Sequence, residues 1–446
     1  MKNFLRILFP ACVVALLQTQ VALATNPLIT GQFSADPTAR VFEGKIYVYP
    51  SHDIKAPPEY KGRPNWFVME DYHVFSSENL TDWKDHGVIV TQTGVAWTDP
   101  TAYSMWAADC VFKDGKYYFY FPATAKSGGF RIGVAVADKP DGPFRPEANY
   151  IEGVSGIDPA VLIDKDGSAY LYYSLNKIYV VKLKPNMREI DGTPMVIDNL
   201  PTKGLLEGPF VFERNGLYYL TYPHVENKTE RLEYATATSP LGPFKQAGVI
   251  LDEAESGCWT VHHSIVDYKG QWYLFYHDKD LSPAFDKNRS IRADKLFFNA
   301  DGTIRKVTPT LRGVGIVKAG SQIQIDRYSA NSGKGIAVSF LDETNPHAGW
   351  KTTFNAPGSW VRFNEVDFGR RGGKTITLRA RADGAASLEI RLDSPDGPVL
   401  GRVQIDRSSE WQTVSGPAKN IPAGVHDLII TQAATAVAEV DWVSFR

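Results

Sequence analysis

The chain has 446 residues, more than one ordinary domain, and this length predicts a large core together with a second unit. Its 48 basic and 50 acidic residues give a formal net charge of -2, which excludes the electrostatic footprint of a protein that binds nucleic acid or an anionic membrane surface. A neutral ligand fits better, and the aromatic content of 12% favours one that stacks on ring faces, as sugars do, although a β-rich core uses the same residues.

The first 24 residues are typical of a secretory signal. Lys2 and Arg6 precede the apolar run ILFPACVVALL, and the small-residue pattern ALA follows, so cleavage is expected before Thr25. The run is short for a membrane span, and no later segment approaches about 18 uninterrupted apolar residues. The mature protein is therefore predicted to be soluble, without a membrane span, and exported to the periplasm or the extracellular space.

A phrase of constant organisation then returns five times: a polar residue, an apolar strand, a turn that contains glycine, and an aromatic strand. Asn-Gly, Asp-Gly and Lys-Gly between alternating strands are hairpin turns. The copies begin at Asp36 (DPTARVFEGKIYVYPS), Asp109 (DCVFKDGKYYFYFPA), Asp158 (DPAVLIDKDGSAYLYYS), Glu207 (EGPFVFERNGLYYLTYP) and His262 (HHSIVDYKGQWYLFYH).

The spacing of the later copies, about 50 residues, holds four short strands, which is the size of a propeller blade. The sequence therefore predicts an all-β fold in which residues 25–318 form a five-bladed β-propeller. In such a ring the start of each innermost strand points to one shared pocket on the axis. An acidic residue before a strand is also an ordinary turn former, but turn chemistry does not require three carboxylates and a histidine at matching positions of successive repeats.

Of the four leading carboxylates, the trio Asp36, Asp158 and Glu207 is assigned to hydrolysis of a glycosidic bond. Two carboxyl groups that flank the bond suffice, one as acid and one as base, and a third nearby raises the pKa of the acid. Glu207 is the better candidate for protonating a leaving group, because glutamate is the longer side chain and the weaker acid. Asp36 would then activate water, and Asp158 would tune Glu207.

The five phrases together resemble glycoside hydrolase family 43, whose members are five-bladed propellers, and the resemblance covers roughly residues 27–315. It implies an inverting mechanism with Asp36 as general base, Asp158 as pKa modulator and Glu207 as general acid, which agrees with the assignment made from the chemistry. It implies no organic cofactor.

The same resemblance assigns His262, two positions before Ser264, to the channel, where it helps to hold a hydrated cation, commonly Ca²⁺. One histidine with water is a poor zinc site, and calcium would need water oxygens to complete its shell. The alternative is a histidine that only forms hydrogen bonds near the modulator.

Further substrate-binding residues follow from the resemblance. Arg289 matches the family's active-site arginine, with Arg292 as the alternative that spacing does not exclude. Trp106 matches the aromatic wall of the sugar subsite, and core packing in the second blade is its alternative. Trp66 and Phe67, in the loop after the first hairpin, are expected to line the entrance.

From about residue 323 to 446 the chain becomes short period-two strands, which predicts a β-sandwich (jelly-roll) domain. This part resembles a family 6 carbohydrate-binding module. Glu439 stands where such modules have an asparagine that grips sugar, so sugar binding and a purely stabilising role both stay open. Trp350 and Trp411 are candidate stacking residues, and Trp411 is an equal candidate for the core.

The sequence thus predicts an exported, inverting, exo-acting glycosidase that removes terminal pentoses from plant cell-wall glycans. Within the family it looks most like the β-D-xylosidase and α-L-arabinofuranosidase branch, with xylo-oligosaccharides or arabinose-substituted glycans as substrates. The alternatives are an endo-arabinanase and a glycan-binding propeller that has lost catalysis. Cys110 and Cys258 are too few for a disulfide framework, and either a pair or two buried thiols is compatible with export.

Overall fold

The computed structural model describes residues 26–345, 348–370, 374–419 and 421–446, and the predicted signal, residues 1–24, lies outside these ranges. The described chain is built from seven β-sheets, with one short 3₁₀ turn at Gln92–Gly94. Across the same ranges, no helix has the length and apolar character that a membrane crossing requires.

The first five sheets follow one another along the chain as antiparallel meanders, which is the arrangement of propeller blades. Blades one to four have four strands each, as the sequence predicts, and blade five is a sheet of three. Blade one comprises β1 (Ala35–Phe42), β2 (Lys45–Asp53), β3 (Met69–Ser77) and β4 (Lys84–Thr91); blade two β5 (Asp109–Lys113), β6 (Lys116–Thr124), β7 (Phe130–Ala137) and β8 (Arg145–Pro146); blade three β9 (Ile157–Ile163), β10 (Ala169–Ser174), β11 (Ile178–Leu183) and β12 (Ile190–Val196); blade four β13 (Phe210–Arg214), β14 (Leu217–Val225), β15 (Glu230–Ala237) and β16 (Lys245–Leu251); blade five β17 (His263–Tyr268), β18 (Gln271–Asp278) and β19 (Ser290–Leu296).

The hairpin turns that the sequence predicts are formed as expected in four blades, whereas the Asp166-Gly167 pair of blade three lies in a longer loop between Ile163 and Ala169. A two-residue turn that matches the right-handed twist of its strands requires positive φ at both central residues. Four of the first hairpins of the blades satisfy this requirement, at Glu43-Gly44, Asp114-Gly115, Asn215-Gly216 and Lys269-Gly270.

The innermost strands of the blades form a ring. Each of β1, β5, β9, β13 and β17 contacts the next, and β17 also contacts β1. Polar links cross between blades at this inner layer, since the Thr38 hydroxyl donates to the Ala108 carbonyl at 2.6 Å and the Ala39 amide donates to Ser264 Oγ at 2.8 Å. The starts of the inner strands are thereby held at one end of the channel.

Asp109 opens the second copy of the repeat, yet it serves this ring and does not line the pocket. Its carboxylate accepts two hydrogen bonds from Arg40, at 2.9 and 2.6 Å, and one from the Val161 amide at 2.7 Å. One carboxylate therefore joins blades one, two and three.

Residues 26–34 join the start of the chain to blade five. The Leu28 amide donates to the Ile291 carbonyl at 2.8 Å, and the Ser34 amide donates to the Arg289 carbonyl at 2.9 Å. The Asn26 side-chain amide donates to the Ala293 carbonyl at 3.1 Å. This segment lies along β19, so the N-terminal end of the described chain covers the outer edge of the three-stranded sheet of blade five.

The C-terminal strands form two six-stranded sheets that enclose one apolar core, a β-sandwich as the sequence predicts. Phe354, Phe363 and Leu378 are among its fully buried side chains. The first sheet contains β20 (Val317–Lys318), β22 (Ala330–Asn331), β25 (Trp360–Asp367), β27 (Ala386–Leu392), β28 (Val399–Ile405) and β30 (Val425–Gln432), and the second β21 (Ile323–Gln324), β23 (Ile336–Phe340), β24 (Trp350–Phe354), β26 (Thr375–Ala382), β29 (Ser408–Pro417) and β31 (Ala438–Phe445).

The sandwich tryptophans are half-buried and lie outside its core. The Arg327 guanidinium lies over the Trp350 ring, 4.1 Å from its centroid. The Arg381 guanidinium lies 5.0 Å from the centroid of the Trp411 ring. Glu439 accepts from Arg381 at 2.5 Å and pairs with Lys351 at 3.0 Å. The carboxylate that replaces the expected asparagine is therefore neutralised by two cations of its own domain.

Within the ranges that the structure describes, the two cysteines, Cys110 and Cys258, are buried free thiols. The sequence left open a disulfide pair or two buried thiols, and the structure has two buried thiols.

Candidate active site

At one end of the channel lies a pocket of about 160 Å³, and every predicted site residue lines it. This is less than the roughly 300–1,000 Å³ of pockets for drug-sized ligands, so its size suits one sugar ring. Arg292 lies elsewhere, paired with Asp278 and Asp280. The predicted residues brought together are Asp36, Asp158, Glu207, Trp66, Phe67, Trp106, Arg289 and His262.

Asp36 and Asp158 are presented in the same way by blades one and three. Each is near the start of the innermost strand and has left-handed backbone geometry, with φ of 48° and 54°. A serine of the second strand fixes each carboxylate: Ser51 donates to Asp36 at 2.7 Å, and Ser174 donates to Asp158 at 2.8 Å. Such backbone strain in non-glycine residues persists where the surrounding structure over-determines it, as at functional sites.

Glu207 departs from this pattern by one residue. In blade four the left-handed position before the proline is Gly208, with φ of 55°, and the carboxylate comes one residue earlier. A side chain at Gly208 would place Cβ 2.9 Å from His262 Nδ1, so the position requires glycine. The Gly208 amide donates to Asp158 at 3.0 Å, which ties the loop of Glu207 to the carboxylate of blade three.

Arg289 is almost fully buried and clamps two carboxylates at once. Its guanidinium donates to the two oxygens of Asp36 at 2.8 and 3.2 Å and to the two oxygens of Asp53 at 2.9 Å each. Asp53 also accepts the Arg289 amide at 2.7 Å. This forked geometry fixes the orientation of the Asp36 carboxylate as well as neutralising it.

His277 supports Asp36 from behind. Its Nδ1 accepts the Asp36 amide at 3.1 Å, and its Nε2 lies 3.0 Å from the Thr260 carbonyl, so Nε2 carries the proton. Burial and the neighbouring Arg289 place the pKa of His277 well below its usual range, and the ring is neutral.

The environments of Asp36 and Asp158 push their pKa values apart. Burial alone would raise the pKa of Asp36, but the charge of Arg289, the largest of the influences that lower it, helps to outweigh burial, and the pKa falls to about 2. Burial and the nearby Glu207 raise the pKa of Asp158 to about 7. At neutral pH, Asp36 is therefore an ionised acceptor for a proton, which is the state that a general base needs.

Glu207 has the opposite character. Burial, followed by the charge of Glu230 and a hydrogen bond with it, raises the pKa of Glu207 well above its ordinary value. Glu230 opens β15, is fully buried, and accepts the Val261 amide at 2.8 Å through one oxygen. Glu207 and Glu230 are thus a carboxyl pair that retains a proton at neutral pH, and Glu207 is available as an acid.

An aromatic wall closes the other side of the pocket. Phe67 lies in the middle, with ring centroids 5.1 Å from Trp66, 6.3 Å from Trp106 and 6.4 Å from Trp259. The Arg289 guanidinium lies 4.7 Å from the Phe67 ring. An aromatic, apolar surface beside a set of carboxylates suits a small ring that carries hydroxyl groups.

Sequence reasoning missed four residues of this site: Asp53, Glu230, Trp259 and His277. Asp53 and His277 stand at the ends of aromatic strands, in YPSHD and LFYHD, where a buried polar residue is itself a signal of a paired site. Glu230 and Trp259 lie outside the repeated phrase, and nothing local in the sequence marks them.

Comparison with known proteins agrees with this geometry. Residues 24–304 match the family model described as Glycosyl hydrolases family 43, and residues 326–446 match the model described as Carbohydrate binding module (family 6). Xylosidase/arabinosidase 43A of Humicola insolens is 38% identical over 327 residues, which cover 62% of this chain and 98% of that protein. A xylosidase/arabinosidase of Bacteroides ovatus is 37% identical, covering 62% of this chain and 95% of that protein.

Solved structures give the same answer. A β-xylosidase/α-arabinofuranosidase from a compost microbial metagenome, in complex with xylotriose and in a calcium-free form, is 36% identical with a TM-score of 0.58, over 64% of this chain and 98% of its own. An arabinoxylan arabinofuranohydrolase from Bacillus subtilis is 26% identical with a TM-score of 0.56, over 95% of this chain and 98% of its own.

Proposed function

Since the chain belongs to glycosyl hydrolase family 43, we propose that it is an exo-acting hydrolase that releases terminal β-D-xylose or α-L-arabinofuranose from xylan and arabinoxylan oligosaccharides. The observation that carries the proposal is the pocket itself. One small cavity joins an ionised Asp36, a protonated Glu207 and a wall of four aromatic rings.

The proposed reaction is a single displacement. Asp36 accepts a proton from a water molecule whose oxygen attacks the anomeric carbon, while Glu207 gives its proton to the glycosidic oxygen as the bond from that oxygen to the anomeric carbon breaks. Attack opposite the leaving group inverts the anomeric centre. Asp158 contributes charge beside Glu207, and Arg289 holds Asp36 ionised and oriented.

Two features support this proposal over the alternatives. A glycan-binding protein does not need three carboxylates held in these opposed protonation states. An endo-arabinanase needs an open cleft, whereas here the aromatic wall and the small volume of the pocket favour the end of a chain.

The proposal is tested by hydrolysis of aryl β-D-xylopyranoside and aryl α-L-arabinofuranoside, with the configuration of the first product followed by NMR. Release of either sugar with inverted configuration is the expected result. Retained configuration would remove Asp36 as a base, and no release from either substrate, with binding to xylan intact, would favour the glycan-binding alternative.

Glu230→Gln is expected to shift the alkaline limb of the kcat/KM profile to lower pH by about one unit. That limb follows loss of the Glu207 proton. A negative Glu230 raises the pKa of Glu207, so a neutral glutamine lowers it. The measurement is the pH dependence of kcat/KM on an aryl xyloside.

The matched control is Glu233→Gln, which removes another buried carboxylate from β15, one that pairs with Arg231 and His224. It is expected to lower stability and to leave the limb in place. An alkaline limb at the wild-type pH in Glu230→Gln would show that Glu230 does not set the pKa of Glu207.

We also propose that His262 helps to hold a hydrated Ca²⁺. It lines the same pocket as Asp36 and Asp158. One imidazole among carboxylate oxygens leaves most of the six to eight calcium ligands to water, which fits a loosely held ion. A bound cation would supply positive charge to the carboxylate cluster. One relative has been solved in a calcium-free form, and metal analysis of the purified protein tests the proposal here.

Export is likewise proposed, on the pattern of residues 1–24 alone. N-terminal sequencing of the protein from the culture is expected to begin at Thr25.

A further inference from the structure

A second cluster of potential ligands lies in blade one, outside the pocket. The blade-one histidine cluster consists of His52 on β2 with Asp71 and His73 on β3, and its ligand atoms all lie within 4.8 Å of one another. His52 Nδ1 is 2.8 Å from the Asp71 carboxylate, and the two imidazole rings meet edge to face at 5.2 Å.

The strands place these side chains on one face of the blade. Asp71 and His73 are two residues apart on β3, so they project to the same side. On β2, His52 projects to the opposite side from Ser51 and Asp53, the two residues that hold Asp36 and Arg289. The cluster therefore lies on the other side of β2 from the residues that hold Asp36 and Arg289, and none of its three residues lines the pocket.

The outer partner of His73 resembles the support of a metal ligand. Its Nδ1 lies 3.2 Å from Asp85, whose same oxygen accepts the Gly87 amide at 2.7 Å and is thereby fixed. A carboxylate that accepts a hydrogen bond from one ring nitrogen keeps the proton on that nitrogen. The other nitrogen then has a free lone pair for a metal ion, as in carboxylate–histidine–zinc arrangements. His73 Nε2 is thus prepared to bind a metal.

The cluster is reachable from solvent, since the side chains of His52, Asp71 and His73 are 21%, 12% and 14% exposed. Zinc bound by nitrogen and carboxylate oxygen at about 2.0–2.1 Å places neighbouring ligands roughly 3.4 Å apart, so these groups need shifts of about 1 Å to close on an ion. Three protein ligands leave a fourth position for water.

We propose that His52, Asp71 and His73 form a surface site for a transition-metal ion such as Zn²⁺, which cross-links β2 and β3. Two nitrogens and one carboxylate select Cu²⁺, Ni²⁺ or Zn²⁺ over Ca²⁺ and Mg²⁺, which prefer oxygen. The cross-link stabilises the strand that carries Ser51 and Asp53, and it takes no part in the chemistry.

The test is titration of the tag-free, chelator-treated full chain with ZnCl₂ by calorimetry, together with thermal unfolding. We expect one Zn²⁺ site, a Tm raised by Zn²⁺ and not by Ca²⁺, and at least tenfold weaker binding in His73→Gln. Asp85→Asn, which removes only the support of His73, is expected to weaken binding several-fold.

Two matched variants separate this site from others. His86→Gln alters another histidine of blade one, and His262→Gln alters the channel histidine; both are expected to retain the Zn²⁺ site. The proposal is overturned if no Zn²⁺ binds, if binding is lost in His262→Gln, or if both His73→Gln and Asp85→Asn bind as the wild type does.

Discussion

Glu207→Gln is expected to lower kcat/KM on xylo-oligosaccharides by about 10²–10⁴-fold, the usual contribution of general acid catalysis. The raised pKa of Glu207 makes it a proton donor at neutral pH, and glutamine retains its size without an acidic proton. The loss should depend on the leaving group. A 2,4-dinitrophenyl xyloside leaves without protonation, so its hydrolysis is expected to fall far less.

Asp36→Asn is the matched control for this prediction. Activation of water is needed whatever the leaving group, so this variant should lose activity on both substrates alike. Equal losses on both substrates in Glu207→Gln would contradict the assignment of the acid. Steady-state kinetics on the two substrates, with each variant checked for folding by circular dichroism, makes the comparison.

Arg289→Lys is expected to reduce kcat/KM by about 10²-fold and to move the acid limb of the pH profile upward. A lysine ammonium does not provide the two-sided fork that holds Asp36 and Asp53 together, so the Asp36 carboxylate loses its orientation. With the attraction of Arg289 weakened, burial raises the pKa of Asp36 from about 2. The base is then protonated, and inactive, over a wider acidic range.

The stability of Arg289→Lys should also depend on pH in a defined direction. The pKa of Asp36 is lowered on folding, so its pairing contributes stability that is present above about pH 4 and is lost as the pH falls towards 2. The difference in the free energy of unfolding between wild type and variant is therefore expected to shrink as the pH falls over this range, measured by urea denaturation.

Arg292→Lys provides the control, because Arg292 is similarly buried in β19 and clamps Asp278 and Asp280 outside the pocket. This variant is expected to lose stability and to keep the acid limb of the wild type. If both variants moved the limb equally, the clamp on Asp36 would not be what sets it.

The sequence could bring the three candidate carboxylates together because they follow the repeat. A propeller delivers the leading residue of each inner strand to the axis, so Asp36, Asp158 and Glu207 could be placed in one pocket without coordinates. Asp109 stands two residues nearer to its hairpin turn than Asp36 does, at the position that Thr38 has in blade one, and Ala107 is the residue of blade two that lines the pocket. Arg40 holds the Asp109 carboxylate between blades. A shift of two residues in register therefore separates a carboxylate that reaches the pocket from one that joins the blades.

Which residues pair with which was beyond sequence reasoning. Glu230 approaches Glu207 from the third strand of blade four, and Asp53 meets Arg289 across 236 residues of chain. Such contacts arise from the closing of the ring, and no local pattern encodes them. The half-buried state of Trp411 was equally open, since alternation on an edge of a sandwich does not say which face is covered.

The segment at residues 26–34, which completes the edge of blade five, has a consequence for how the molecule folds. The Asn26 side chain bonds to the Ala293 carbonyl across 267 residues, so the ring closes through contacts of very high contact order. Closing a flexible loop of that length costs about 5 kcal/mol in chain entropy, before any native contact offsets it. Each blade can form locally as a hairpin meander, but the ring joins last, after residue 293 has been synthesised. Removal of the residues before Leu28 should therefore slow refolding of the ring, while the structure of each single blade is expected to change little.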